Sequence, residues 1–149
     1  MKASPTMQQV VAQLAERHDV DLSAIGAFLR LDLPGHDRLV IDHLAAWQMA
    51  VTHCYEEEGV WRIDREVLFF TGNHGEWIPL EITQSATGWT AYARLDPAGE
   101  RIVRSNPCGQ EKLAEFTERW ARKLLSQGWL EDGVVYTPWL PPTRKEVCQ

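Results

Sequence analysis

At Arg38 the hydrophobic period shifts from about 3.6 residues to 2, and that shift sets the fold class. Leu39, Ile41 and His43 alternate with Val40, Asp42 and Leu44, as on a half-buried strand. A second run puts Trp47, Met49, Val51, His53 and Tyr55 on one face, and Gln48, Ala50, Thr52, Cys54 and Glu56 on the other. Glu66 to Phe70 has the β-branched and aromatic content of a third strand, and Trp77 to Ile82 reads as a fourth. Pro79 marks an edge or a bulge there, because it cannot donate to a ladder. Trp89 to Leu95 and Arg101 to Arg104 complete the set. The connections Glu56–Gly59, Thr71–Gly75 and Asp96–Glu100 are too short for a crossover, so consecutive strands must pair antiparallel.

Helical signals flank this region. Pro5 suits a first helical position with Ser4 as its cap, and Met7, Val10, Val11 and Leu14 follow helical spacing to about His18. Ile25, Phe28 and Leu29 predict a second short helix over Ser23 to Leu31, broken by Leu33-Pro34-Gly35-His36-Asp37. The last helix is the clearest, with Asn106 as cap, Pro107 at its first position and Gly128 past its end. Leu113, Phe116, Trp120 and Leu124 form its apolar stripe. Trp129-Leu130 and Val134-Val135-Tyr136 predict an added edge strand. The expected fold is α+β: an antiparallel sheet of five or six strands packed by the C-terminal helix, with an N-terminal helical appendage. A chain of 149 residues fits one domain, divided into helices over 1–35, a sheet-and-helix body over 38–136 and a tail over 137–149.

Charge narrows the choice of partner. Residues 1–100 carry seven Lys/Arg against fifteen Asp/Glu, while residues 101–149 carry eight against six, for a net charge of −6. An acidic body argues against direct nucleic-acid binding, which uses a basic patch to release counterions. No apolar run reaches the ~18 residues of a membrane-spanning helix. Cys54, Cys108 and Cys148 are odd in number, far apart and without C-x-x-C spacing, which suits a reducing cytoplasm. They read as two apolar fillers and a tail thiol.

Catalytic constellations are scarce. His36, His43, His53 and His74 show no H-x-x-x-H or H-E-x-x-H spacing. No G-x-S-x-G elbow is present, and Gly72-Asn73-His74-Gly75 lacks the Gly-Lys-Ser/Thr ending of a phosphate loop. The enzymatic alternative is a small metal-binding or hydrolytic centre built on His53, Cys54, Glu56 and Asp64; the preferred reading has no catalytic residue, metal or cofactor.

Seven tryptophans are unusual for this length. Trp120 lies on the helix stripe, and Trp47, Trp77 and Trp89 begin strand patterns, all consistent with core. Trp61 and Trp139 admit core or interface readings. Trp61 follows Glu56-Glu57-Glu58-Gly59 and precedes Arg62, so it is expected as an exposed anchor in a charged rim.

Two stretches carry a family resemblance. Thr52-His53-Cys54-Tyr55-Glu56-Glu57-Glu58-Gly59 leads into Arg62-Ile63-Asp64-Arg65-Glu66-Val67-Leu68-Phe69, and Phe116 to Leu124 leads into Gln127-Gly128-Trp129-Leu130. Over residues 38–132 the chain resembles small uncharacterised proteins of bacterial plasmids, integrative elements and phages. Their block resembles H-Y-Y-E-Q-N-G-D-x-M-R-D-P-E-M-x-F. This chain departs from it with Cys54 for an aromatic residue, Val60-Trp61, and Arg65 for proline. The resemblance implies a cytoplasmic accessory protein of a mobile element that binds and inhibits a host defence complex, such as a CRISPR effector or nuclease. The residues expected to meet that partner are Glu56, Glu57, Glu58, Trp61, Arg62, Glu66 and Trp139.

Overall fold

The structure is a computed structural model, and it describes residues 1–136. The elements in order are α1 (Pro5–Arg17), β1 (Phe28–Asp32), β2 (Arg38–Ala45), β3 (Gln48–Glu57), β4 (Val60–Asn73), β5 (Glu76–Gln84), β6 (Gly88–Ala91), β7 (Ala93–Leu95), β8 (Ile102–Ser105), α2 (Pro107–Gln127), α3 (Trp129–Asp132) and β9 (Val134–Val135). Seven strands form one antiparallel sheet in the order β6-β5-β4-β3-β2-β1-β9, and β7 and β8 form a separate hairpin. The architecture is α+β as expected, with a slightly larger sheet.

Both long helices lie on one face. Met7, Val10, Val11 and Leu14 of α1 and Leu113, Trp120 and Leu124 of α2 share a core with Leu39, Ile41, Met49, Val51, Val67 and Phe69 from the sheet. α1 is thus built into the main core. Its N-terminus also depends on α2: the Glu118 carboxylate accepts from the backbone N–H groups of Thr6 (3.0 Å) and Met7 (3.3 Å). Ser4 does not cap its own helix; its hydroxyl meets that of Thr117, and its N–H donates to the Trp77 carbonyl at 2.8 Å. α2 follows its sequence signals, with Asn106 accepting from the Gly109 N–H and Gly128 closing the helix at φ 90°.

Four expectations need correction. Residues Ser23 to Leu31 do not form a helix: Phe28–Asp32 is a strand paired with β2, and the preceding residues form a bend. The fifth run divides at Tyr92, where the chain leaves the large sheet for the β7–β8 hairpin. Trp129-Leu130 form a single helical turn, leaving Val134–Val135 as the edge strand. Trp47 and Trp89 are exposed (45% and 55%), whereas Trp77, Trp120 and Trp129 are buried. Pro79 sits in an interior strand beside a register shift, where the bulge relieves its missing donor.

Among the described residues, the sheet face away from the helices is covered only in part. At the β5 end, Phe70, Ile78 and Leu80 pack with Ala93, Leu95 and Ile102 of the β7–β8 hairpin. The register places Val40 beside Thr52, and Arg38 beside Cys54, on that same face further along.

Candidate functional site

The β3–β4 hairpin closes through Glu58-Gly59, with Glu57 paired to Val60. Both turn residues have positive φ, 53° and 79°, the two-residue geometry whose twist matches that of the flanking strands. Glu56, Glu57 and Glu58 are exposed around this two-residue turn. Arg62 reaches across to Glu57 at 3.0 Å, but both side chains are more than half exposed, so the pair contributes little stability.

Trp61 is half-buried, contrary to its expected role as an exposed anchor. Its ring lies against the Arg38 guanidinium, 4.4 Å from the ring centre, and Tyr136 covers the guanidinium from another side at 4.2 Å. Arg38 is only 8% exposed and makes a bidentate pair with Asp32 at 2.8 and 3.0 Å. A buried guanidinium is stable here because its charge is met by a carboxylate and its flat faces by aromatic rings. Trp61 therefore anchors the hairpin to the sheet. A cleft of about 530 Å³ opens beside this stack, lined by Asp32, His36, Asp37, Arg38, Glu56 and Trp61 among others.

A second polar group lies on the helix side of the sheet. The His53 ring packs against Trp120 and Trp129, with centroids 5.3 and 5.8 Å away. Burial pushes its pKa down to about 4, and the neighbouring Arg65 acts in the same direction. Arg65 lies opposite His53 in the ladder, 3.7 Å from Asp64, with its guanidinium 5.6 Å from both Phe116 and Trp120. The register shift after His53 makes Asp64 the extra residue, at a bulge. Asp37 is held above the ordinary carboxylate range by burial and then by Asp64.

The residues of the enzymatic alternative are divided between the two faces. His53 points to the helices, while Cys54 pairs with Arg38 on the opposite face, as alternation along a strand requires. Glu56 follows Cys54 on that opposite face, and Asp64 sits at the bulge. Among the described residues, no group of three or more His, Cys, Asp or Glu is placed to hold a metal ion. Cys54 is fully buried and disulfide-bonded, and Cys108 is exposed, so neither is simply an apolar filler. Glu66 is half-buried and accepts from the Thr52 hydroxyl at 2.7 Å, which places it on the open face, away from the hairpin tip. Trp139 lies outside the described residues.

Sequence reasoning identified the acidic hairpin. It missed Arg38, which organises the region, although an arginine opening an otherwise apolar strand was a readable signal.

Fold and site together define a two-layer α+β protein with helices on one sheet face and an exposed acidic tip on the β3–β4 hairpin. The chain belongs to the DUF6908 family, a domain of unknown function, whose profile matches residues 6–130. That match begins within α1 and ends within α3, so both long helices belong to the family domain. No curated protein and no solved structure matches the chain.

Proposed function

We propose that this protein is a non-enzymatic docking protein, an accessory of a bacterial mobile element that binds and inhibits a host defence complex. The observation that carries the reading is the β3–β4 tip, which holds three exposed carboxylates on a hairpin fixed by its turn and by the Trp61–Arg38 stack. A cluster of negative charge is suited to a basic groove that ordinarily receives nucleic acid, and it speeds encounter with such a groove. The sharpest form is an anti-CRISPR-like inhibitor, a step that comes from the sequence resemblance. In this reading the protein acts in the cytoplasm and needs no cofactor.

The test compares the wild-type chain with a Glu56→Lys/Glu57→Lys/Glu58→Lys variant as bait in a bacterial lysate with active defence systems. Captured proteins are identified by mass spectrometry and their nuclease activity is assayed with each bait. The expected result is a nucleic-acid-processing complex held and inhibited by wild type, released by moderate salt, and lost with the variant. Equal capture by both baits, or capture without inhibition, would refute the proposal.

A further inference from the structure

Among the described residues, one edge of the large sheet has no neighbour. β6 ends the strand order, and Gly88, Trp89 and Thr90 are exposed along it. Edge strands are ordinarily guarded by charged side chains, proline or a bulge. Gly88-Trp89-Thr90-Ala91 has none of these, and its register with β5 is unbroken. The ladder also sets where its free backbone groups point. The Tyr92 N–H donates to the Leu80 carbonyl at 2.8 Å, continuing the β5–β6 register by one pair. In an antiparallel ladder, residues bonded to one neighbour alternate with residues that face the other way. Gly88 and Thr90 therefore face β5, while the N–H and C=O groups of Trp89 and Ala91 point outward.

Two arginines stand beside this edge. Arg94 and Arg104 lie directly opposite each other in the β7–β8 ladder, and neither makes an ion pair among the described residues. Like charges in that arrangement destabilise a strand pair. With Ala91 they line a hollow of about 210 Å³. Trp89 is 55% exposed and shares a strand face with Ala91.

We propose that β6 pairs with β6 of a second copy of this chain, in a two-fold antiparallel register that sets Trp89 opposite Ala91 of the other copy. Three features favour a second copy over any other extended strand. The register satisfies all four outward groups on each edge through four hydrogen bonds, and it sets Thr90 against its own symmetry mate, a favourable cross-strand pair. It places a bulky indole beside a methyl group, twice. It also brings each indole to the hollow beside Ala91, where the ring face meets the unpaired guanidinium groups of Arg94 and Arg104. The contact is small: two four-residue strands and two indoles bury less than the ~1,200 Å² of a standard interface, so the dimer is reversible, with a Kd of roughly 10–100 µM.

This inference uses none of the residues of the acidic tip, so either reading can fail alone. The full chain is studied by sedimentation equilibrium with reductant present, over roughly 5–1,000 µM. Wild type is expected to move from one to two chain masses across that range. Trp89→Lys sets an ammonium against Arg94 and Arg104 of the other copy and should raise Kd at least ~10-fold with Tm unchanged. Arg94→Glu, outside the large sheet, neutralises Arg104 within its own hairpin and should weaken the dimer by ~3-fold or more. Thr90→Cys in a Cys108→Ser chain reports the register: mild oxidation should link two chains through position 90 of each, as mapped by mass spectrometry, because residues on the axis lie about 4.5 Å apart. A chain that stays monomeric to ~1 mM, a dimer unaffected by both Trp89→Lys and Arg94→Glu, or the absence of a link between the two copies of position 90 would each overturn it.

Discussion

Trp61→Ala tests whether the acidic hairpin is held or merely projects. Truncating a fully buried tryptophan costs about 3–5 kcal/mol. Trp61 is half-buried, so part of that cost is already absent, but it also stacks on a buried guanidinium, a contact worth about 0.5–2 kcal/mol. The expected loss is therefore about 2–3 kcal/mol, which lowers Tm by roughly 4–12 °C for a domain of this size. Urea denaturation followed by circular dichroism supplies the free energy, and a double-mutant cycle with Arg38→Met isolates the stacking contribution. Arg38→Met leaves Asp32 nearly half exposed, so the cycle strands no buried carboxylate. A coupling near ~1 kcal/mol is expected. A Trp61→Ala protein melting within ~1 °C of wild type, with no coupling to Arg38, would show that the ring does not rest on the sheet and would restore the exposed-anchor reading.

Further outcomes follow from the helix side of the sheet. Trp120→Ala removes a side chain only 3% exposed that packs against His53 and Phe116, and it should cost about 3–5 kcal/mol in chemical denaturation. His53 titrates near pH 4 when folded and near 6.5 when unfolded, so the unfolded chain binds more protons between those values. Its contribution is complete above about pH 6.5 and declines as pH falls to about 4, with a slope of at most ~1.4 kcal/mol per pH unit. Asp37, shifted upward, acts in the opposite sense, so the measurement is the difference between wild type and His53→Asn at pH 7 and pH 5. Wild type should lose more stability than the variant over that interval. Glu118→Ala strips the N-terminus of α1 of its acceptor and should cost about 1–2 kcal/mol, with hydrogen exchange accelerating first at Thr6 and Met7.

What the sequence disclosed follows how local the deciding interactions are. α2 was legible from end to end because Asn106, Pro107 and Gly128 specify its boundaries within a few residues of themselves. The faces of β2 and β3 were legible because alternation extends over eight and ten residues. β1 was misread because Ile25, Phe28 and Leu29 satisfy helical spacing in a run too short to separate the periods. The ladder from Phe28↔Asp42 to Leu31↔Leu39 decides it, and that is a contact with another strand. Trp61 was misplaced for the same reason, since its stacking partner Arg38 lies 23 positions away. Trp47 and Trp89 show the converse: their strand patterns are real, but nothing local reports how far the helices and the β7–β8 hairpin extend over the sheet.

The tie between α1 and α2 bears on how the protein is made. Its hydrogen bonds join Lys2, Ser4 and Thr6 to Gln110, Thr117 and Glu118, across 108 to 113 positions. During synthesis at ~5–20 residues per second, α1 waits roughly 6–20 s before those partners exist. Through that interval Met7, Val10, Val11 and Leu14 have no α2 to pack beside, and the core they share with Leu113, Trp120 and Leu124 cannot close. A 13-residue helix is marginal by itself in water, so α1 gains its stability only after α2 has emerged to pack beside it.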